Sequence, residues 1–346
     1  MKKAVFLLVS IVLYAISVSS FAQTDTTKYK IANKFQLTGD GNWDYLTSDD
    51  STGRLYISHG MIVQAIDSKT GKLIGTIKGL NGVHGIALAK DLDKGFISSG
   101  RDSSVTVFDL KTLATITKIN VTGKNPDAIL YEPGSQKVFV YNGKTSNATV
   151  IDAKTNTVCG TIPLDGKPEF SVYDGKGNVF VNIEDKSEIS MINAKTLKVE
   201  KTWSVKPGIE PSGLAIDTAN HILFSVCDNK LMIILDAESG KVIATLLIGE
   251  NVDGVAFDPI LKRAYSSNGD GTLTVVQEES KSKFSVLCIV KTQKGARTIT
   301  IDNKTQHIFL PTADFGETPA ATKDKPHPRP PVLPNTFVIL DLEPIK

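Results

Sequence analysis

A phrase of twelve residues recurs along this chain at nearly constant spacing. It first reads IDSKTGKLIGTI, from Ile66 to Ile77, and returns as IDAKTNTVCGTI, from Ile151 to Ile162. Aligned copies place an acidic residue or its substitute at Asp67, Asp109, Asp152, Asn193, Asp236, Gln277 and Asp341. The first five intervals are 42, 43, 41, 43 and 41 residues, and the last is 64. A period in the low forties is typical of repeat folds, among which the β-propeller is the all-β option.

The residues within one period predict strands. Segments such as VTVFD, ATVID and LTVVQ are rich in β-branched residues and are bounded by turn residues. The sixth unit contains four such segments, which read DGVAFD, RAYSSN, TLTVVQ and KFSVLCIV. The repeated phrase predicts a tight turn, because Asp and Thr side chains bond nearby backbone and Gly accepts positive φ. Four-stranded units arranged around an axis bury their faces against one another, so the sequence predicts an all-β, seven-bladed β-propeller.

The two ends of the chain are expected to complete one blade together. The seventh unit has three strand segments, RTITIDN, HIFLP and TFVILDL, and then the chain stops. The N-terminal segment YKIANKFQLTG has no unit of its own, and its Ile31, Phe35 and Leu37 are placed on one side by alternation. A ring that lacked this strand would expose an open sheet edge. We therefore expect the N-terminal strand to complete the last blade and close the ring.

One stretch resembles a known repeat. Residues 252–276, VDGVAFDPILKRAYSSNGDGTLTVV, are similar to the repeat of the YVTN family of β-propellers, whose signature is present in degenerate form as YISH, FISS, FVYN and YSSN. The resemblance covers the chain after its leader and suggests a YncE-like secreted protein. It implies a seven-bladed propeller with a binding role. The family shares no agreed catalytic motif, so the resemblance assigns no functional residue.

The first residues have the features of a secretory signal peptide. Lys2 and Lys3 precede an apolar run, and Ser20 and Ala22 provide a small-residue cleavage site before Gln23. The run is shorter than the roughly 20 residues of a membrane span, which disfavours an uncleaved anchor. We therefore expect residues 1–22 to be removed and residues 23–346 to form a single propeller domain. This domain is expected to be exported to the periplasm or the cell exterior, monomeric and without a membrane span.

Charge and cysteine content narrow the function further. Residues 1–22 hold two of the 39 basic residues and none of the 37 acidic ones, so equal numbers remain after cleavage. Nucleic-acid binding is disfavoured, because it requires a clustered positive excess. The three cysteines, Cys159, Cys227 and Cys288, lie in apolar stretches more than 60 residues apart. They are expected to be buried free thiols rather than metal ligands.

One position at the start of each inner strand is expected to line the central channel. The following residue is small in several blades, as crowding near the axis requires, whereas Tyr45 and Phe170 are large and are expected to narrow the ring. The second strand ends beside the start of the first, so His59, Asn142 and Asn268 are predicted to join the same mouth, with Trp43. The seven ring positions hold Asp44, His84, Asp127, Glu169, Ser212, Asp253 and Arg297.

The long last interval contains a Pro-rich insertion over residues 312–336. It is predicted to connect the second and third strands of the last blade and to emerge at the channel mouth. An insertion of this length is either a functional lid or a disordered loop. Proline stiffness and the apolar residues Phe315, Val332 and Leu333 favour the lid.

Two functions fit this sequence. The favoured hypothesis is a non-enzymatic binding or scaffold protein that presents an acidic mouth to a small molecule or an envelope partner and requires no cofactor. Its basis is that the sequence shows no nucleophile triad, phosphate loop or haem attachment motif. The alternative is a metal-dependent hydrolase or lactonase with its site at the mouth, where a mixed Asp/His set would hold a divalent cation.

Overall fold

The computed structural model describes residues 28–39, 41–322 and 328–345. These residues form seven four-stranded antiparallel sheets. The inner strand of each sheet contacts the inner strands of both neighbours, which closes a ring. The expected all-β, seven-bladed propeller is therefore confirmed. The predicted signal peptide lies outside the described residues, and no helix within them is long and apolar enough to cross a membrane.

The strands of the first four blades follow one another along the chain after an N-terminal strand, β1 (Tyr29–Gln36). Blade one contains β2 (Trp43–Asp49), β3 (Arg54–His59), β4 (Ile62–Asp67) and β5 (Leu73–Ile77). Blade two contains β6 (Val83–Ala89), β7 (Lys94–Ser99), β8 (Ser104–Asp109) and β9 (Thr115–Asn120). Blade three contains β10 (Pro126–Glu132), β11 (Lys137–Asn142), β12 (Asn147–Asp152) and β13 (Thr157–Pro163). Blade four contains β14 (Pro168–Tyr173), β15 (Asn178–Ile183), β16 (Glu188–Asn193) and β17 (Lys198–Ser204).

The last three blades complete the ring. Blade five contains β18 (Pro211–Asp217), β19 (Ile222–Cys227), β20 (Leu231–Asp236) and β21 (Val242–Leu247). Blade six contains β22 (Val252–Asp258), β23 (Arg263–Asn268), β24 (Thr272–Ser280) and β25 (Lys283–Lys291). Blade seven combines β26 (Thr300–Asp302), β27 (His307–Thr312) and β28 (Val338–Pro344) with β1 as its outermost strand. Two short 3-10 helices are Lys90–Leu92 and Glu184–Lys186.

The hydrophobic core lies between the blades. Seven clusters of buried apolar side chains occur, one at each interface of neighbouring blades. The third residue of every second strand is a fully buried aromatic side chain. These residues are Tyr56, Phe96, Phe139, Phe180, Phe224, Tyr265 and Phe309. Since one face of each sheet packs on the next, this arrangement explains why the sequence repeats the same strand pattern.

The recurring phrase forms the outer hairpin, which joins the third and fourth strands. Asp67 Oδ1 accepts hydrogen bonds from the backbone N–H and the hydroxyl of Thr70, at 2.8 and 2.7 Å. Asp109, Asp152 and Asp236 form the same pair of contacts three residues on. Gly71, at φ +69°, ends the first of these turns. Blades one, two, three and five therefore each carry the same local signal for the reversal of the outer strand.

The N-terminal strand closes the ring as predicted. It pairs with β28 from Tyr29 opposite Pro344 to Gln36 opposite Val338. A bulge between Ile31 and Asn33 adds one residue to β1, which reverses the side-chain alternation. Tyr29 and Ile31 consequently pack at the interface of blades six and seven, and Phe35 packs between blades seven and one. The expectation that Ile31, Phe35 and Leu37 share one side was therefore wrong, because simple alternation cannot anticipate a bulge.

One cysteine differs from expectation. Cys227 and Cys288 are buried, as predicted. Cys159 is exposed because it lies on β13, the outermost strand of its blade, most of whose residues face solvent. An apolar sequence context is therefore insufficient to predict burial on an outer strand.

Candidate functional site at the channel mouth

In six of the seven blades, a β-bulge at the start of the inner strand presents one side chain to the channel. In blade one, Trp43 pairs with His59 and Leu46 pairs with Ile57, so that Asp44 and Tyr45 together face a single residue, Ser58. Blades two to six have an equivalent shift at the same place. Because a bulged residue is freed from regular cross-strand pairing, its side chain can be re-aimed.

Polar side chains on the second strand satisfy the backbone that the bulge leaves unpaired. Ser58 accepts a hydrogen bond from the Asp44 N–H at 3.1 Å and donates its own to the Tyr45 carbonyl at 2.8 Å. Ser98 and Ser267 bond the bulge of their own blade, and each donates to a backbone carbonyl of the next blade, that of Asp127 and Arg297 respectively. These serines were missed as site-building residues. Each of them is the third residue of its degenerate signature segment, YISH, FISS or YSSN.

Three ring residues from adjacent blades form a close cluster. His84 Nδ1 lies 2.6 Å from Asp44 Oδ2 and 3.5 Å from Asp127 Oδ1. One ligand-type atom from each of the three side chains lies within 4.8 Å of the other two. The side chains are only 17 to 27% exposed. This Asp44–His84–Asp127 cluster occupies the mouth at blades one to three.

The other carboxylates of the ring are paired with cations. Lys167 Nζ forms an ion pair with Glu169 Oε1 at 2.7 Å, and it also pairs with Glu184. Across the ring, Arg297 Nη1 lies 3.2 Å from Asp253 Oδ2. Lys167 was missed, although it stands only two residues before Glu169 in the sequence. The mouth therefore combines an acidic ring with three cationic groups, which include His84.

Two ring positions differ from the expected pattern. Arg297 lies before β26, which begins only at Thr300, and therefore extends from the loop that leads into the strand. Ser212 donates its hydroxyl to the Val252 carbonyl at 3.3 Å and thereby ties blade five to blade six.

Burial and crowding raise the pKa of several mouth groups. The pKa of Asp127 is raised to about 7 by burial and by the charge of Asp44, which outweigh the cation of His84. The pKa of Glu169 is raised to about 8 by burial and the charge of Asp127, and that of Asp253 to about 6, mainly by burial. Burial alone would lower the pKa of His84, but its hydrogen bond to Asp44 and the surrounding carboxylates raise it to about 9. The folded mouth therefore holds protons near neutral pH.

Two aromatic side chains narrow the channel below the acidic ring. Tyr45 of blade one meets Phe170 of blade four, which stands on the opposite side of the axis, with ring centroids 5.3 Å apart. Tyr45 is buried among residues of blades three and four. Below them a mostly apolar cavity of about 660 Å³ is lined by inner-strand residues of all seven blades, and none of the charged ring residues contributes to it. The Tyr45–Phe170 contact therefore forms a floor under part of the mouth.

Three further sequence-predicted residues do not gather at the ring. His59, Asn142 and Asn268 are buried, with exposures of 0 to 1%. His59 contacts Gln64 and the ring of Phe337. The amide groups of Asn142 and Asn268 donate to side chains at the start of the following strand of their own blades. The backbone of these residues reaches the mouth, whereas their side chains hold the blade together.

Trp43 links the mouth to the Pro-rich insertion. Its ring lies 5.1 Å from that of Phe337 and 6.0 Å from that of Phe315. Phe315 forms a β-bridge with Val332, and the N–H of Gly316 donates to the Pro331 carbonyl at 2.8 Å. The described parts of the insertion therefore stand over Trp43 at the edge of the acidic ring.

Comparison with known proteins adds information on the fold. No protein-family model matches the chain, and no curated protein matches it. Among solved structures, Kuenenia stuttgartiensis hydrazine synthase is similar, with a TM-score of 0.70 and 16% sequence identity over 79% of this chain and 94% of that chain. At this identity the likeness shows the propeller fold alone, since one fold supports many functions.

Proposed function

We propose that this protein is an exported binding protein of the cell envelope, whose ligand places a positively charged group in the channel mouth. The observation that carries the proposal is the convergence of the carboxylates of Asp44, Asp127, Glu169 and Asp253 on one small pit. Carboxylates held close together raise one another's pKa, and a bound cation relieves the repulsion between them. Groups perturbed in this way inside a concavity are typical of functional sites.

Asp127 is the carboxylate with the weakest internal partner. Glu169 has Lys167 at 2.7 Å and Asp44 has His84 at 2.6 Å, whereas the ion-pair contact of Asp127 is to His84 at 3.5 Å. Its side chain is only 19% exposed. A buried charge without a close partner is costly. Asp127 is therefore the residue that gains most from a cationic ligand.

The floor formed by Tyr45 and Phe170 supports a binding role for the mouth. A ligand that enters the ring meets the contact between these two side chains. The degenerate YISH, FISS, FVYN and YSSN segments support assignment of the repeat to the YVTN, YncE-like type, with its binding role. Export rests on the sequence features of residues 1–22.

Substitution of Asp127 by Asn is expected to weaken the binding of small amines about tenfold or more. A hydrogen bond to a charged group is worth roughly 1.5–3 kcal/mol, and 1.4 kcal/mol is about a factor of ten in affinity. The measurement is titration calorimetry with 2-phenylethylamine and 1,5-diaminopentane on the mature chain. Glu200→Gln is the matched control, since Glu200 is an exposed carboxylate on β17. Equal affinities in Asp127→Asn and wild type would contradict the proposal.

A metal-dependent hydrolase or lactonase is the second candidate. The Asp44–His84–Asp127 cluster favours it, because its oxygen and nitrogen donors lie close enough to surround one ion. The cation would polarise a substrate carbonyl. Its binding must displace the proton that His84 shares with Asp44, so affinity for the metal would rise with pH.

If the cluster holds a metal, Zn²⁺ or Mn²⁺ is expected to raise the unfolding temperature after chelation, and His84→Gln is expected to abolish that rise. A metal at a hundred times its dissociation constant adds about 2.7 kcal/mol to stability. Thermal unfolding with Zn²⁺, Mn²⁺, Mg²⁺ and Ca²⁺ provides the measurement. The same His84→Gln protein should bind 2-phenylethylamine at least as tightly as wild type, because it loses the internal cation that pairs with Asp44 and Asp127, and this separates the two functions. A metal response that survives in His84→Gln would exclude this cluster.

A further inference from the structure

A second cavity adjoins the acidic ring beneath the Pro-rich insertion. It has a volume of about 560 Å³ and is lined by the described residues of the insertion, blade one and the loops that flank blade six. Arg297 belongs to both the ring and this cavity, and Asn251, in its wall, stands two residues before Asp253. A volume of this size suits a small organic molecule. We call it the insertion cavity.

The charge of the insertion cavity is opposite to that of the mouth. Its charged lining residues are Lys294, Arg297 and Arg329, and no described lining residue is acidic. Arg297 is paired with Asp253. Within residues 28–39, 41–322 and 328–345, Lys294 and Arg329 form no ion pair. The side-chain amides of Asn42 and Asn251 add hydrogen-bond donors. Such a lining suits an anion, and arginine in particular pairs with carboxylates.

An apolar part of the same lining, which adjoins Arg329 along the chain, is held in place by contacts within the insertion. It consists of Trp43, Phe315 and the run from Pro330 to Val332. The Trp43 and Phe315 rings are 6.0 Å apart. Hydrogen bonds from Gly316 to Pro331 and from Leu333 to Asp314, both 2.8 Å, join the two arms of the insertion. A prearranged wall of this kind reduces the entropy cost of ligand binding.

We propose that the insertion cavity takes the carboxylate end of the same ligand whose amine end enters the acidic mouth. The ligand is therefore a zwitterion of the amino-acid or short-peptide class, with an apolar side chain against Trp43 and Phe315. This inference rests on the proposed function, because it assigns the amine to the acidic ring. Arg297 lies between the acidic ring and the insertion cavity, the two oppositely charged poles of the site, and Asp253 holds its guanidinium in place.

Three probes that share a phenyl group separate the contributions of the two poles. L-Phenylalanine carries both charges, 2-phenylethylamine carries only the amine, and 3-phenylpropanoate carries only the carboxylate. Calorimetry on the mature chain, in buffer free of phosphate and carboxylates, is expected to show phenylalanine binding at least tenfold more tightly than either other probe. Lys294→Ala and Arg329→Gln should each weaken phenylalanine and phenylpropanoate at least threefold and leave phenylethylamine unchanged. Lys291→Ala, at an exposed lysine outside the cavity lining, is the control.

Each outcome has a distinct meaning. Equal affinities for phenylalanine and phenylethylamine, unaffected by Lys294→Ala and Arg329→Gln, would overturn the zwitterion inference and leave the cation-binding function in place. Binding of phenylpropanoate alone, weakened by Lys294→Ala, would show an anion site and would overturn both the inference and the cation-binding function. Phenylalanine binding that both cavity variants and Asp127→Asn weaken, each beside its control, would support the two-pole site.

Discussion

Deletion of residues 28–36 is expected to destabilise the entire ring by about 5 kcal/mol or more, although these residues are the first that the structure describes. Deletion removes the outermost strand of blade seven and exposes the full length of β28. Burial of Tyr29 and Phe35 would also be lost, at roughly 1.5–3 kcal/mol each. Total stabilities of about 5–15 kcal/mol are usual. A loss of this size is therefore expected to unfold much of the protein at room temperature.

Long-range contacts explain why the effect reaches beyond one blade. The Tyr29 hydroxyl lies 3.0 Å from that of Tyr265 and accepts a hydrogen bond from Arg263 at 2.7 Å, both in blade six. At the other end of the strand, Phe35 lies against Gly71 of blade one, where a Cβ would stand 2.3 Å from its ring. The N-terminal strand thus contacts the blades on both sides of the seam.

The measurement is thermal and urea unfolding of the deletion variant beside the full mature chain. Lys30→Ala with Lys34→Ala is the matched control, because these side chains are largely exposed on the same strand and an exposed ion pair such as Lys30–Glu343 contributes little. A synthetic peptide of residues 28–37, added in trans, is expected to restore part of the lost stability. An unchanged unfolding midpoint in the deletion variant would show that the ring is closed without this strand.

The stability of the ligand-free protein is expected to fall as pH rises from about 5 to about 8.5. The folded-state pKa values of Asp127, Glu169, Asp253 and His84 are all raised, to about 7, 8, 6 and 9. Raised values mean that the folded state keeps protons which the unfolded chain has released. Their contribution to stability is therefore complete below the unfolded values, near 4 for the acids and 6.5 for His84, and is lost as pH rises through the folded values.

The size of this effect follows from the number of protons retained. About two extra protons near pH 7 correspond to a loss of about 3 kcal/mol per pH unit. Burial alone would raise the pKa of Asp49, but Lys90 and neighbouring hydroxyls lower it to about 2. Asp49 therefore changes the free energy of unfolding only in the acid range and not between pH 5 and 8.5. Glu278, whose pKa is raised to about 7 mainly by burial, lies outside the mouth and adds to the same slope.

Urea unfolding at several pH values between 5 and 8.5 tests this prediction. The triple variant Asp127→Asn, Glu169→Gln and Asp253→Asn is expected to flatten the slope to the part contributed by Glu278 and His84, and to be more stable than wild type at pH 8. Glu200→Gln should leave the slope unchanged. A wild-type stability that increases with pH, or a slope as steep in the triple variant as in wild type, would mean that the mouth carboxylates are not held together as described.

The repeat pattern predicted the fold because blade-forming information is local. Each unit carries a buried aromatic residue on its second strand, and blades one to five carry an Asp or Asn followed three residues later by Thr or Ser on the outer hairpin. Both features are visible as residue types at fixed spacing. The strand supplied by the N-terminus was found by counting units. The reversed alternation within that strand was not predictable, because a bulge leaves no distinct residue type at Ile31 or Asn33.

The site was only partly predictable, for a different reason. Register identified the ring positions, and the structure brings Asp44, His84 and Asp127 together. Register gives the position of the backbone, however, and not the direction of a side chain, so His59, Asn142 and Asn268 were placed at the mouth while their side chains are buried in the blades. The contact of Tyr45 with Phe170 joins blades that are distant in sequence and could be anticipated only as a narrowing.

The bulge that opens the inner strands has a consequence for how such a protein can change over evolutionary time. The bulge backbone at Asp44 is satisfied by Ser58, and the equivalent Ser98 and Ser267 bond the backbone of Gly85 and Gly254, the residues that follow His84 and Asp253. The identity of the bulged side chain is therefore largely uncoupled from the folding of its blade. A single substitution at one of these positions can alter the charge of the rim while the scaffold is inherited unchanged. Propellers built in this way can diversify what they recognise one blade at a time.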